Sequence, residues 1–201
     1  MGKSEDIVEF ISGAGGIASS SQIVEAGFLR GSIAYALESG SIDKLTRGVY
    51  CLPEIFDDEY AAISYRWRRC VFSHASALYL AGLSDRVPPA IDVSVPYGYN
   101  PRGLIREFSG ARVHHVSPYL YELGVSEVRS SGGGMVRAYC AERAVADLIE
   151  QRVSGRVDPQ LVHDAVGGYF KCRERDLPKL ARMCSARGVE REFRLYLEVL
   201  A

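Results

Sequence analysis

The stretch RGSIAYALESGSIDKLTRGVYCL, residues 30–52, decides how the N-terminal part of the chain folds. Ile33 and Leu37 stand one helical turn apart and form an apolar stripe, and Gly40 supplies a stop. Ser32, Tyr35 and Ser39 fall roughly opposite that stripe. The spacing predicts a helix over 30–39. Beyond it, Ile42 and Leu45 are apolar where Lys44 and Thr46 are polar. That pattern predicts strands over 41–46 and 48–52 with Arg47-Gly48 as the turn.

Working outward, residues 4–12 place Ile7, Phe10 and Ile11 on one helical face, with Ser4 as N-cap and acids in the first turn. Gly13-Ala14-Gly15-Gly16 ends that helix. Ser19 and Gln22 have capping-box spacing, a short helix with Ile23 and Val24 follows, and Gly27 stops it. Three helices and a two-stranded hairpin make residues 1–53 a winged helix-turn-helix. In that geometry the third helix enters the major groove. Arg30 is placed to pair with guanine, and Tyr35 to reach a phosphate or a thymine methyl. Lys44 and Arg47 on the wing meet phosphates or the minor groove. Ser32 and Thr46 complete the candidate DNA-binding set. The alternative is a winged helix that serves protein contact, and the acidic first helix is its best support.

The rest of the chain, 54–201, reads as a mixed α+β domain with a helical tail, so the fold class is α+β. Helices are expected over 58–69, 74–81, 141–152, 159–171, 176–187 and 189–200, with Pro159 and Pro178 in first turns. Strands are expected over 91–95, 111–116, 121–129 and 135–140, the last two joined by Gly132-Gly133-Gly134. Pro53 and the acids after it mark a linker near 53–57.

Composition is ordinary for a globular chain: 47% hydrophobic and 24% charged over 201 residues, which argues against disorder. A net charge of −1 excludes a grossly basic nucleic-acid coat. Any polyanion contact must therefore use a small cationic surface. No apolar run is long enough to span a membrane, and the acidic start is no signal peptide. The five cysteines fit no zinc spacing and no export context. They read as reduced, mostly buried thiols in a cytoplasmic protein.

Enzyme motifs fail one by one. Gly13-x-Gly15-x-x-Ala18 follows a helix instead of a strand, so it is no dinucleotide fingerprint. Gly31-Ser32 and Asp43 lack a second carboxylate, because Leu45 stands in its place. Pro159 interrupts the turn that would bring Arg156 and His163 together. Ser73-His74 and Ser76 have no orienting acid nearby, and His74 reads as a helix-start residue. His114 and His115 alternate across a strand and cannot share a metal. No catalytic residue, cofactor or metal is expected.

Several motifs are similar to those of the AbiEi-family antitoxins. Residues 40–50 resemble the family's wing, with Gly16-Ile17-Ala18 and Ala26-Gly27 upstream of it. Residues 72–83, from Phe72-Ser73-His74 to Gly82-Leu83, resemble its helix after the linker. Residues 91–96 resemble its central strand, and 139–149 its strand-to-helix Glu-Arg signature at Glu142-Arg143. The resemblance implies a transcriptional autorepressor of a bacterial toxin–antitoxin or abortive-infection operon. It would bind promoter inverted repeats in double-stranded DNA. It would also counteract a nucleotidyltransferase-like toxin through the C-terminal domain without a stable complex. The resemblance also selects Lys44, Arg47 and Arg30. At the helix start it finds Leu29 where a Ser cap is usual. Glu142 and Arg143 have two readings, an antitoxin surface or a first-turn acid beside a structural ion pair. The alternatives are a protein-interaction module without specific DNA binding, and a nucleotide-acting enzyme.

Overall fold

A computed structural model describes residues 3–55, 58–84 and 86–200. The chain is mixed α+β and divides into two compact units. The first comprises residues 1–69 and 127–136; the second comprises 70–126 and 137–201. The first unit therefore runs past the residue-53 boundary expected from the sequence and recruits a distant segment. Ser4, expected as an N-cap, lies outside the described side chains, as Phe56 and Asp57 of the expected linker lie outside the described residues.

In the first unit, α1 (Lys3–Gly13) is followed by β1 (Ile17–Ser19), α2 (Ser20–Glu25), α3 (Arg30–Glu38), β2 (Asp43–Thr46) and β3 (Val49–Cys51). A 3-10 turn over Pro53–Ile55 leads to α4 (Glu59–Arg66). The strands form an antiparallel sheet in the order β1-β3-β2, so the expected two-stranded hairpin has a third member. Three residues are too few to show an alternation, which is why β1 left no periodic trace. Ile7 and Ile11 of α1, Ile23 of α2, Ile33 of α3 and Ile42 are fully or almost fully buried together. Ala36 joins Ile33 in the buried stripe of α3, while Leu37 packs at its margin.

The segment 127–136 is the tip of a hairpin between β7 (Val125–Arg129) and β8 (Met135–Tyr139). Two of its three glycines have a packing reason and the third a conformational one. A Cβ on Gly132 would lie 2.6–2.9 Å from the Asp58 side chain, and one on Gly134 would lie 2.7 Å from Ile17 and 2.8 Å from Ala61. Gly133 turns the chain at φ +91°. Asp58 is buried, accepts from the Ala61 amide at 3.0 Å as the N-cap of α4, and accepts from the Ser130 hydroxyl.

The second unit holds β4 (Val71–Phe72), α5 (His74–Leu80), β5 (Ile91–Pro96), α6 (Leu104–Glu107), β6 (Ala111–Val116) and α7 (Pro118–Glu122). After the β7–β8 hairpin come α8 (Ala141–Val153), α9 (Pro159–Lys171), α10 (Leu177–Arg187) and α11 (Glu190–Leu200). The five strands run in the order β6-β5-β4-β8-β7, with β4 antiparallel to β5 and parallel to β8, and β5 parallel to β6. The strand expected over 121–129 begins later. Ser117 caps Pro118–Glu122 as a helix, its side chain accepting from the Leu120 amide, and Pro118 takes the first turn. The core joins Leu78, Val145, Leu148, Val166 and Leu180.

Arg143 is wholly buried. Its Nε meets Asp147 Oδ1 at 3.0 Å, its Nη1 donates to the carbonyls of Leu120 and Leu123, and its guanidinium lies 4.3 Å over the Tyr139 ring. Glu142 pairs with Lys179 at 2.8 Å and accepts from the Tyr169 hydroxyl. The Glu-Arg pair is thus an internal fastening of α8, and Arg143 presents no surface. Cys51, Cys70 and Cys184 are buried, and burial pushes their thiols up to about 11, 12 and 12. No helix among the described residues is long and apolar enough to cross a membrane.

Candidate nucleic-acid interface

α2 starts with a complete capping box: the Ser19 hydroxyl accepts from the Gln22 amide at 3.3 Å, and Gln22 Oε1 accepts from the Ser19 amide at 2.8 Å. The next residue ties the β2–β3 turn to this helix start. Ser20 donates to the Gly48 carbonyl twice, from its amide at 2.9 Å and its hydroxyl at 3.1 Å. Gly48 holds φ +76°, which lets the turn close against Ser20. Two hydrogen bonds thereby fix the place where Arg47 leaves the fold.

Five of the six residues singled out in the sequence reach solvent. On α3, Arg30 is exposed, Tyr35 is 59% exposed and Ser32 is half-buried. Lys44 and Arg47 are exposed on β2 and its turn. Thr46 differs. A bulge between Lys44 and Thr46 shifts the register so that Thr46 faces Val49, and its side chain turns inward. There its hydroxyl accepts from Arg66 Nη1 at 3.0 Å. Leu29, at the cap of α3, makes no side-chain cap bond, so nothing from that side chain covers the first amides of the helix.

No ion pair among the described residues engages Arg30, Lys44 or Arg47. Glu38 and Asp43 are the acids on the same elements, one at the far end of α3 and one at the root of β2. Arg66 and Arg68 lie beyond the residue-53 boundary expected from the sequence and carry no expected role there. Arg66 lies 4.5 Å over the Trp67 ring while it holds Thr46, and Arg68 Nη2 donates to the Ser19 hydroxyl at 3.4 Å. The end of α4 thus brings guanidinium groups to the base of the turn and to the start of α2. The Arg66, Arg68, Arg69 run was the signal, but only the packing of α4 gives it a direction.

The second unit contains a separate polar cluster. His74 is buried and is the one non-glycine residue with positive φ, +52°, among the described residues. Burial, and then the neighbouring His114, hold its imidazole well below the ordinary 6.5. Its ring lies 4.0 Å from that of His114, whose Nε2 is 2.7 Å from Asp92 Oδ1. The alternation argument against His114 with His115 holds, since His115 bonds the Tyr99 carbonyl instead. What sequence spacing concealed is that α5 and β5 supply other partners to His114. Arg156 and His163 serve elsewhere: Arg156 binds both carboxylate oxygens of Glu150, and His163 is exposed on α9.

Residues 5–53 match a family model described as "Transcriptional regulator, AbiEi antitoxin". The match supports a regulatory role in a toxin–antitoxin system. The crystal structure of the RV2827C protein from Mycobacterium tuberculosis is similar at 11% identity and a TM-score of 0.46, over 98% of this chain and 80% of that one. No curated protein matches the chain.

Proposed function

We propose that this protein is a DNA-binding transcriptional repressor of its own toxin–antitoxin operon. On this reading residues 1–53 act as a winged helix: α3 is the reading helix and the β2–β3 turn is the wing. The observation that carries it is the outward set of Arg30, Tyr35, Lys44 and Arg47, which no acid among the described residues engages, on a segment that matches an antitoxin regulator model. Arg30 stands in the first turn of α3, where a reading helix meets base edges, and its fork suits guanine. Lys44 and Arg47 reach phosphates beside that groove. The half-buried Ser32 lies at the edge of the contact. Thr46 acts indirectly by positioning Arg66.

The role of residues 54–201 follows from the same reading: they act against a nucleotidyltransferase-like toxin without forming a stable complex with it. The site of action is the cytoplasm, where both operon and toxin would be met. A gel-shift titration with the chain's own promoter against random duplex, repeated across salt, tests the binding half. Specific affinity should fall with salt at a slope of roughly −0.9 per neutralised phosphate. Equal and weak binding to both duplexes at low salt would remove the repressor reading. Co-expression with the neighbouring toxin gene tests the other half: growth should be restored by the full chain and lost on deletion of 137–201.

A further inference from the structure

We infer that His74, Asp92 and His114 form a binding site for one divalent transition-metal ion of the zinc class. The three side chains come from α5, β5 and β6, and one ligand atom of each lies within 4.8 Å of the other two. Two imidazole nitrogens and one carboxylate oxygen are a borderline-soft set that suits zinc and its neighbours and disfavours magnesium or calcium. Three protein ligands leave a fourth position for water or a ligand. His74 and His114 also line a cavity of about 370 Å³, so an ion has a route in and a bound ligand has room.

The surroundings are arranged as they are around ligating side chains. The Ser73 hydroxyl holds Nδ1 of His74 at 2.9 Å, and an outer hydrogen bond of this kind orients a ligating ring. The Ser76 hydroxyl accepts from the Asp92 amide at 2.9 Å and so fixes β5 where the carboxylate leaves it. His74 is kept at a positive φ that a non-glycine residue adopts only where its surroundings enforce it. Arg187, Glu150 and Arg156 line the same cavity and are joined by ion pairs through Glu150. They make the lining polar, and the carboxylate of Glu150 is already taken by the two arginines.

The test uses the full chain, stripped with chelator and then dialysed against zinc or cobalt. About one equivalent of either metal should be retained, and cobalt should give the strong visible bands of a tetrahedral site. Ser73→Ala, which removes only the outer hydrogen bond, should weaken zinc by ~10–100-fold. His114→Ala should weaken it further, and His163→Ala should leave it unchanged. Because the cluster is buried, variants that fail to fold are covered by a measurement on the natural protein. Zinc should shift the imidazole nitrogen resonances of His74 and His114 and spare those of His115 and His163. Failure of the natural protein to retain either metal would overturn the assignment, as would unchanged binding by folded His114→Ala or shifts confined to His115 or His163.

Discussion

One set of cationic side chains in each unit makes an instructive contrast. In the second, three arginines around α8 are tied to its acids: Arg143 and Arg187 share Asp147, at 3.0 and 2.7 Å, and Arg187 and Arg156 share Glu150. In the first, Arg30, Lys44 and Arg47 stand in solvent with no acid partner among the described residues. A guanidinium held by buried carboxylates is part of the fold, since removing its acid strands a charge away from water. An exposed guanidinium adds little to stability and is left for an external anion. Burial and an acid partner, which net charge does not report, thus separate structural cations from contact cations.

The largest effect should come from breaking the inward network. Asp147→Ala leaves the buried Arg143 without a carboxylate and Arg187 with Glu150 alone, and should lower unfolding stability by ~3–5 kcal/mol, read by urea denaturation. A loss below about 1 kcal/mol would mean that Arg143 is held by the carbonyls of Leu120 and Leu123 alone. On the outward side, Arg30→Ala should leave stability within about 0.5 kcal/mol but cost ~1–3 kcal/mol of specific DNA affinity. If it instead unfolds the protein, Arg30 belongs with the inward class.

Arg47→Ala should weaken all DNA sequences alike and reduce the salt slope by about one. A loss confined to one sequence would move Arg47 from phosphate contact to base reading. The smallest effect concerns pH. Burial pushes the Glu142 carboxyl up, but hydrogen bonds from Lys179, its own backbone, Cys140 and Tyr169 outweigh it and hold the group below its ordinary 4.5. Lys179 is raised above 10.5, chiefly by its bond to Glu142. A lowered carboxyl stabilises above its unfolded value and loses that as pH falls through the folded one. A raised ammonium does the reverse at the alkaline end. Burial, with help from Glu142, also raises the Cys140 thiol above its ordinary 9.0, so the stability gap between the natural protein and Glu142→Gln should be level between 4.5 and 9.0 and narrow beyond either limit. A gap that changes near neutrality would point to another group.

Elements whose pattern repeats over several turns were legible. The tail helices and strands β5 and β6 fall within a residue or two of their expected limits, because burial of one face writes a period into the sequence. β1 was too short for that, and the strand expected over 121–129 ignored the Ser117-Pro118 start signal that makes α7. Of the candidate interface, the outward residues of α3 and the turn could be read, since an exposed face is the complement of an apolar stripe. Thr46 was misplaced because a bulge flips a side chain without leaving a mark in the alternation. The grouping of His74, Asp92 and His114 was illegible for a different reason. Neighbours along one element obey its period, but partners drawn from three elements obey only the packing.

The glycine-rich hairpin tip sets an order of events during synthesis. Residues 127–136 lie against Asp58, Ile17 and Ala61 of a unit whose other residues end at 69. A nascent chain that has only these earlier residues outside the ribosome lacks the Ser130 hydroxyl for the buried Asp58 carboxylate. The first unit must wait for more than fifty further residues to emerge before its last segment can join it. Shortened forms ending between 69 and 127 would thus be open to proteases that the finished chain resists.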